Sequence, residues 1–306
     1  MPQHDLHPLD AADPLRGYRE RFVPSDDLVA YLDGNSLGRP LTASVERLER
    51  FTREEWGGRL IRGWDEGWLE LPLALGDALG EHVLGAAPGQ VAVADSTSVL
   101  LYKLSRAALD ARPGRDEVIV DRGNFPSDRY LLEGVAAERG LTLRWLEPDP
   151  DGGVTPEAVA EAASERTALG LFSSVAYRSG FLADVQGITA VLHDAGALAL
   201  WDLCHSAGVV PTPLDRWGVD LAVGCGYKYL NGGPGAPAFM YVRRDLQGEL
   251  RQPLQGWMGS HAPFEMGQGY RPADGIRGFL TGTPPILAMQ PLVDMVSLIA
   301  EAGLDA

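Results

Sequence analysis

From residue 88 onward, short apolar runs alternate with longer stretches whose apolar residues recur every three or four positions. The short runs read as strands at residues 91–94, 117–121, 141–146, 168–172, 198–201 (ending at Asp202), 219–223 and 238–242. The longer stretches read as helices. Residues 96–110 place Val99, Leu100, Leu104, Ala107 and Ala108 on one face, and residues 126–139 open with Pro126 as first helical residue. Residues 156–164 and 184–195 complete the set. Strands alternating with helices predict an α/β fold, with a mainly parallel central sheet and helices on both faces. Before it, residues 42–56 and 66–84 read as two helices that pack outside the sheet or form a partner surface. After residue 250, glycine and proline mark turns around Gly256, Gly259, Gly275 and Gly282, and a last apolar helix spans 286–302. The expected division is an N-terminal segment 1–87, a large α/β domain 88–260 and a dimer-contacting segment 261–306 that begins a C-terminal part.

Composition narrows this picture. At 306 residues, 45% hydrophobic and 22% charged, the chain can bury a sizeable core. Only its first two dozen residues, rich in Pro and Asp, suggest disorder. A net charge of −16 argues against a nucleic-acid partner, because phosphate backbones need clustered Lys and Arg. An anionic ligand must therefore be held by local features. Cys204 and Cys225 form no C-x-x-C pair, so neither a disulfide framework nor a metal site is expected. The first ten residues lack the apolar core of a signal peptide, and no apolar run approaches the roughly 18 residues of a membrane helix. The expectation is a cytoplasmic protein with no membrane contact.

In parallel sheets, ligands sit at the carboxyl ends of the strands, so the polar residues there are the candidates. Ser96 and Thr97, at a strand–helix junction, offer hydroxyls and free amides to an anion, or simply cap the helix. Phe125 stands at a helix start, where it could stack on a planar ring or act as a hydrophobic staple. Asp202 ends a buried strand and needs a cation, unless it caps the next helix. Beside it, His205 could add a polar contact. Lys228, between tyrosines and glycines, is placed as a nucleophile toward carbonyl compounds or as a partner for a carboxylate. The glycines around it match neither a P-loop nor a dinucleotide fingerprint. Together, anion cup, ring-stacking aromatic, acid and Schiff-base lysine are the parts that pyridoxal 5′-phosphate (PLP) requires.

At these residues the chain resembles kynureninase, a fold type I PLP family similar to the class V aminotransferases. The likeness rests on Tyr31-Leu32-Asp33-Gly34-Asn35-Ser36-Leu37-Gly38, Phe125-Pro126-Ser127-Asp128 and Tyr227-Lys228-Tyr229-Leu230-Asn231-Gly232-Gly233-Pro234-Gly235. Gly256-Trp257 and Thr283-Pro284-Pro285-Ile286 extend it. The resemblance implies hydrolysis of L-kynurenine to anthranilate and L-alanine, in tryptophan catabolism and NAD biosynthesis. It implies that Ser96 and Thr97 hold the phosphate, that Phe125, Pro126, Ser127 and Asp128 surround the ring, and that Ser173, Asp202 and His205 complete the ring contacts. Lys228 is then the Schiff-base lysine, with Tyr227 touching the phosphate and moving protons. Trp257 and Thr283 would reach the neighbouring subunit's phosphate in a homodimer. Trp64 and Gly282 resemble the form that prefers kynurenine over 3-hydroxykynurenine, although Trp64 and Trp68 are also spaced as a plain helix-face pair.

Family members continue into a small C-terminal domain whose Arg binds the substrate carboxylate. Arg271 and Arg277 do not match that motif, so the expectation is a chain largely lacking this domain. Two alternatives therefore stand beside an active hydrolase. One is a non-catalytic PLP-binding paralogue. The other is an enzyme like the cysteine desulfurases or selenocysteine lyases, although both cysteines adjoin the Asp202 and Lys228 motifs and neither sits on an acceptor loop.

Overall fold

The computed structural model describes residues 8–25 and 27–305. Seven strands form one sheet: β1 (Val91–Ala94), β2 (Glu117–Asp121), β3 (Thr142–Leu146), β4 (Thr167–Ser173), β5 (Leu198–Asp202), β6 (Leu221–Cys225) and β7 (Ala238–Val242). Their order is β1-β7-β6-β5-β4-β2-β3. β2 to β6 run parallel, and β7 is antiparallel to both its neighbours, β1 and β6. β1 therefore points the same way as the parallel strands, so its carboxyl end shares their edge.

Successive strand side chains point to opposite faces, and the core divides accordingly. Val91, Val93, Ala199, Trp201, Ala222 and Tyr241 pack on one face, whereas Ala92, Ala94, Leu198, Leu200, Val223 and Met240 pack on the other. Helices Leu71–Leu79, Val185–Asp194 and Ile286–Ala302 cover the first face, through Leu75, Leu79, Ile188, Leu192 and Met289. Helices Thr97–Asp110 and Pro126–Arg139 cover the second, through Leu100, Leu104, Leu132 and Val135. Burial on both faces explains why the strands read as continuous apolar runs rather than alternating ones.

Besides shifts of one or two residues at other element ends, three differences from the sequence reading stand out. The strand expected at 219–223 lies two residues later, because Gly218 closes a turn in the left-handed region and Val219 bonds back to Leu214. Its carboxyl end is thereby brought to Cys225, three residues before Lys228. The single helix expected over 66–84 is broken. Gly67 (φ 147°) interrupts it, Pro72 restarts it in the first turn of Leu71–Leu79, and a wide turn follows at Gly80–Leu84. Of the first two dozen residues, those from 8 to 21 include a helical turn at Pro8–Ala12 and a 3-10 turn at Arg16–Arg21; residues 1–7 lie outside the described residues. Among the described residues, no helix is long and apolar enough to cross a membrane.

Gly76 shows how closely the outer helix sits on the sheet. A Cβ at this position would collide with the Val91 carbonyl of β1. Gly76→Ala is expected to lower stability by about 1–3 kcal/mol, read as a reduced urea midpoint with an unchanged slope.

Candidate active site

The carboxyl ends of β1, β2, β4, β5 and β6 meet around a cavity of about 190 Å³. Its first wall is the start of helix Thr97–Asp110. Ser96 takes the cap position but makes no side-chain capping bond, so capping does not use its hydroxyl. Ser96, Thr97 and Ser98 all line the cavity beside helix amides that have no partner within the helix. Asp95, just before them, adopts the left-handed region (φ 47°). Two contacts hold it there. Its carbonyl accepts from the Ala238 amide (3.0 Å), and its Oδ2 accepts from Lys103 Nζ (3.0 Å). Lys103 is fully buried; burial pulls its pKa down and the Asp95 charge opposes that. The Lys103–Asp95 pair thus fixes the backbone just before the helix start.

The second wall follows β2. Asn124 Oδ1 accepts from the Phe125 amide (2.7 Å) and from Ser173 Oγ (2.8 Å), tying the β2 and β4 ends together. Phe125 begins helix Pro126–Arg139 and meets Tyr177 edge-on, with centroids 5.3 Å apart. Its face lies toward Lys228, whose Nζ is 5.5 Å from the ring centroid.

The floor holds two carboxyl groups. Asp202 ends β5 and does not cap a helix; its Oδ1 accepts from the Cys204 amide (2.7 Å) in a tight turn. Asp128 is 1% exposed, and its buried Oδ2 has no hydrogen-bond partner. Burial pushes its pKa well above the ordinary carboxylate range, and the adjoining Asp202 pushes it further. Two buried carboxyls side by side need either a shared proton or a cation between them. A protonated pyridine nitrogen is such a cation, and an aromatic face, an anion cup and a lysine amine stand at the other edges of the same cavity. The residues fit PLP.

Lys228 is 7% exposed, and its Nζ lies 2.9 Å from His205 Nε2. Burial and the Lys228 charge lower the His205 pKa, so its neutral ring accepts from the lysine. The lysine loop is fixed at both ends. The Tyr227 carbonyl accepts from the Gly38 amide (2.9 Å), and Gly232 N–H bonds back to the Gly226 carbonyl (2.8 Å). A side chain on Gly38 would collide with Asn231 and the Lys228 carbonyl, which explains the glycine that ends the 31–38 block. Burial pushes the Tyr227 phenol up to about 12, with nearby Cys225 adding to the effect. At neutral pH it is therefore protonated.

The structure brings Ser96, Thr97, Phe125, Ser127, Asp128, Ser173, Asp202, His205, Tyr227 and Lys228 to one cavity. Pro126 only starts its helix. Trp257 packs edge-on against Phe264 (5.9 Å), Thr283 and Gly282 are exposed, and Trp64 pairs edge-on with Trp68 (5.7 Å); none of the four lines this chain's cavity. Asp95, Ser98, Asn124 and Cys204 lie in the strand-end stretches that stand out in the sequence, whereas Tyr177 and Lys103 carry no role there. Tyr177 could have been found by following β4 past its end. Lys103 could not, since a lysine in a helix normally marks a solvated face. Among the described residues, no three His, Cys, Asp or Glu side chains gather as a metal site.

Asp121, at the end of β2, adds a pH dependence. Burial raises its pKa to about 6, against the ordinary 3.8. Between about pH 4 and pH 6 the folded protein keeps a proton that the unfolded chain releases, so stability falls as pH rises through that window and is level above it. Asp121→Asn is expected to remove this contribution, at most about 3 kcal/mol. The check is the difference between wild-type and variant urea midpoints from pH 4 to pH 7; a pH-independent difference refutes it.

Comparison with known proteins places this geometry. The class-V aminotransferase family matches residues 92–306. Kynureninase of Pseudomonas fluorescens is 40% identical over 99% of this chain and 70% of its own length. Kynureninase of Burkholderia pseudomallei is 43% identical over 97% of this chain and 69% of its own. Similar solved structures include a C-DES mutant with glycine covalently linked to its PLP cofactor (TM-score 0.80, 20% identity, 93% of this chain and 74% of that one). Another is the cysteine desulfurase CsdA of Escherichia coli (TM-score 0.80, 18% identity, 93% and 71%). At such identities these structures establish the fold only, the type I fold of PLP enzymes. With both kynureninases aligned along nearly its whole length, the chain belongs to the kynureninase family.

Proposed function

We propose that the cavity binds PLP through Lys228 and that the chain is a kynureninase, hydrolysing L-kynurenine to anthranilate and L-alanine. The observation that supports this most is the lysine amine set opposite a buried carboxyl pair with an unpartnered oxygen, inside a family whose curated relatives are kynureninases. When bound, the cofactor supplies an electron sink that makes the substrate Cα–H acidic and activates the Cβ–Cγ bond. The chain's residues then have separable roles. Ser96, Thr97 and the adjoining helix amides bind the phosphate. Phe125 packs against the ring, while Ser173 holds Asn124 and so fixes the Phe125 turn. Asp202, supported by Asp128, keeps a proton at the ring nitrogen. Lys228 accepts the Cα proton, and Tyr227, protonated at neutral pH, returns one as alanine forms.

In this reading the chain acts in the cytoplasm, in tryptophan catabolism, as a homodimer in which Trp257 and Thr283 reach the partner's phosphate. Their positions outside this chain's own cavity suit that role. Trp64 and Gly282 would then shape the substrate's aryl pocket, with kynurenine preferred over 3-hydroxykynurenine.

One experiment tests the reading. PLP is added to the purified protein, and the absorbance spectrum is followed through addition of L-kynurenine, with anthranilate fluorescence read in parallel. A long-wavelength band with anthranilate release supports both cofactor and reaction. A band without anthranilate supports a PLP-binding paralogue, and no band from folded protein overturns the proposal.

A further inference from the structure

The chain's only two cysteines have no part in the chemistry above. β5 and β6 pair in parallel with Asp202 opposite Val223, and the Leu203 amide continues the ladder to the Val223 carbonyl (2.8 Å). Cys204 stands in the turn two residues past Asp202, and Cys225 ends β6 two residues past Val223. Cys225 Sγ lies 3.9 Å from the Cys204 carbonyl, and the two thiols are close enough to shift each other's pKa. Both cysteines line the cavity, and Cys204 Sγ is 3.9 Å from Thr97 Oγ1.

We propose that Cys204 and Cys225 form an oxidant-sensitive thiol pair in the cavity floor, which hydrogen peroxide closes to a disulfide in the cofactor-free protein and which bound PLP shields. The shielding part rests on the PLP reading above. The adjoining Cys204 pulls the Cys225 thiol down, with the Lys228 charge assisting against burial, so Cys225 is the attacking sulfur. Its thiolate attacks one peroxide oxygen, the O–O bond breaks, and the departing hydroxide takes a proton to become water. Cys204 sulfur then displaces hydroxide from the Cys225 sulfenic acid, its own proton leaves with that hydroxide, and the S–S bond forms. Two thiols lose two electrons and two protons, and one peroxide becomes two waters.

The bond draws the sulfurs to about 2.05 Å, a closure expected to shift the Cys204 backbone. That amide holds the Asp202 carboxylate at 2.7 Å, and the Cys204 side chain touches Thr97, so one displacement disturbs both the acid and the phosphate ends of the site. PLP affinity is expected to fall about tenfold or more, in line with the sensitivity of such sites to small displacements.

The test treats the 306-residue chain with hydrogen peroxide, with and without PLP. It reads intact mass, peptide mapping, and PLP affinity by absorbance titration before and after dithiothreitol. Support is the loss of two hydrogens mapped to a 204–225 cross-link, weaker PLP binding restored by dithiothreitol, and protection of the PLP-loaded protein. Cys204→Ala and Cys225→Ser should each keep their own untreated affinity within about twofold after peroxide. Added oxygens without a cross-link, a cross-link between chains, or a 204–225 cross-link that leaves affinity unchanged would overturn the proposal. An untreated protein that shows no PLP binding defeats the cofactor reading instead, while the mass measurement still decides the thiol pair.

Discussion

Lys228→Ala is expected to abolish the long-wavelength absorbance of PLP-loaded protein and to lower kynurenine turnover by about 10³-fold or more. Both effects follow from one amine. Lys228 is the cation that faces Phe125, contacts His205 and partly offsets the raised Asp128 pKa. Removing it takes away the covalent attachment and the group best placed to move the Cα proton. In the proposed reading Ser96, Thr97 and the helix amides would hold the phosphate, so the variant should still retain PLP without the covalent band. Equilibrium dialysis separates the two losses. A variant that keeps the band would show that another amine forms the link.

Asp202→Asn is expected to keep PLP attached to Lys228 while lowering kcat by about 10²–10⁴-fold. Asparagine nearly preserves the shape and the acceptor for the Cys204 amide, but it cannot hold a proton on the ring nitrogen by its charge. The loss should fall on kcat and kcat/KM alike, because the contribution is made as charge develops. The variant also relieves Asp128 of a neighbouring negative charge, the second cause of its raised pKa. A kcat within about tenfold of wild type would show that Asp128 alone suffices as the acid.

Several of these positions could be read from the chain, and the reason is geometric. A parallel sheet puts its strand ends on one edge, so residues distant in sequence converge once the strands are identified. Ser96, Phe125, Asp202 and Lys228 follow β1, β2, β5 and β6, or end them, and continuous apolar runs mark strands buried on both faces. Glycines around Lys228 record close backbone approaches, as at Gly226 against the Pro237 carbonyl. Other features left weaker traces. Gly67 and Pro72 are visible breakers, yet the apolar spacing through 66–84 dominated the reading until the backbone separated the pieces.

By itself, the sequence determined the α/β class, the parallel sheet and the chemical types of the site, because periodicity and residue type are local properties. Tertiary structure decided what depends on neighbours distant in sequence. It buried Asp128 and set it against Asp202, so that burial first and like charge second raise the Asp128 pKa. It turned Lys103, on a helix that reads as amphipathic, into a buried partner for Asp95. It also brought the Cys225 sulfur within 3.9 Å of the Cys204 carbonyl, a contact that no spacing of 21 residues could reveal.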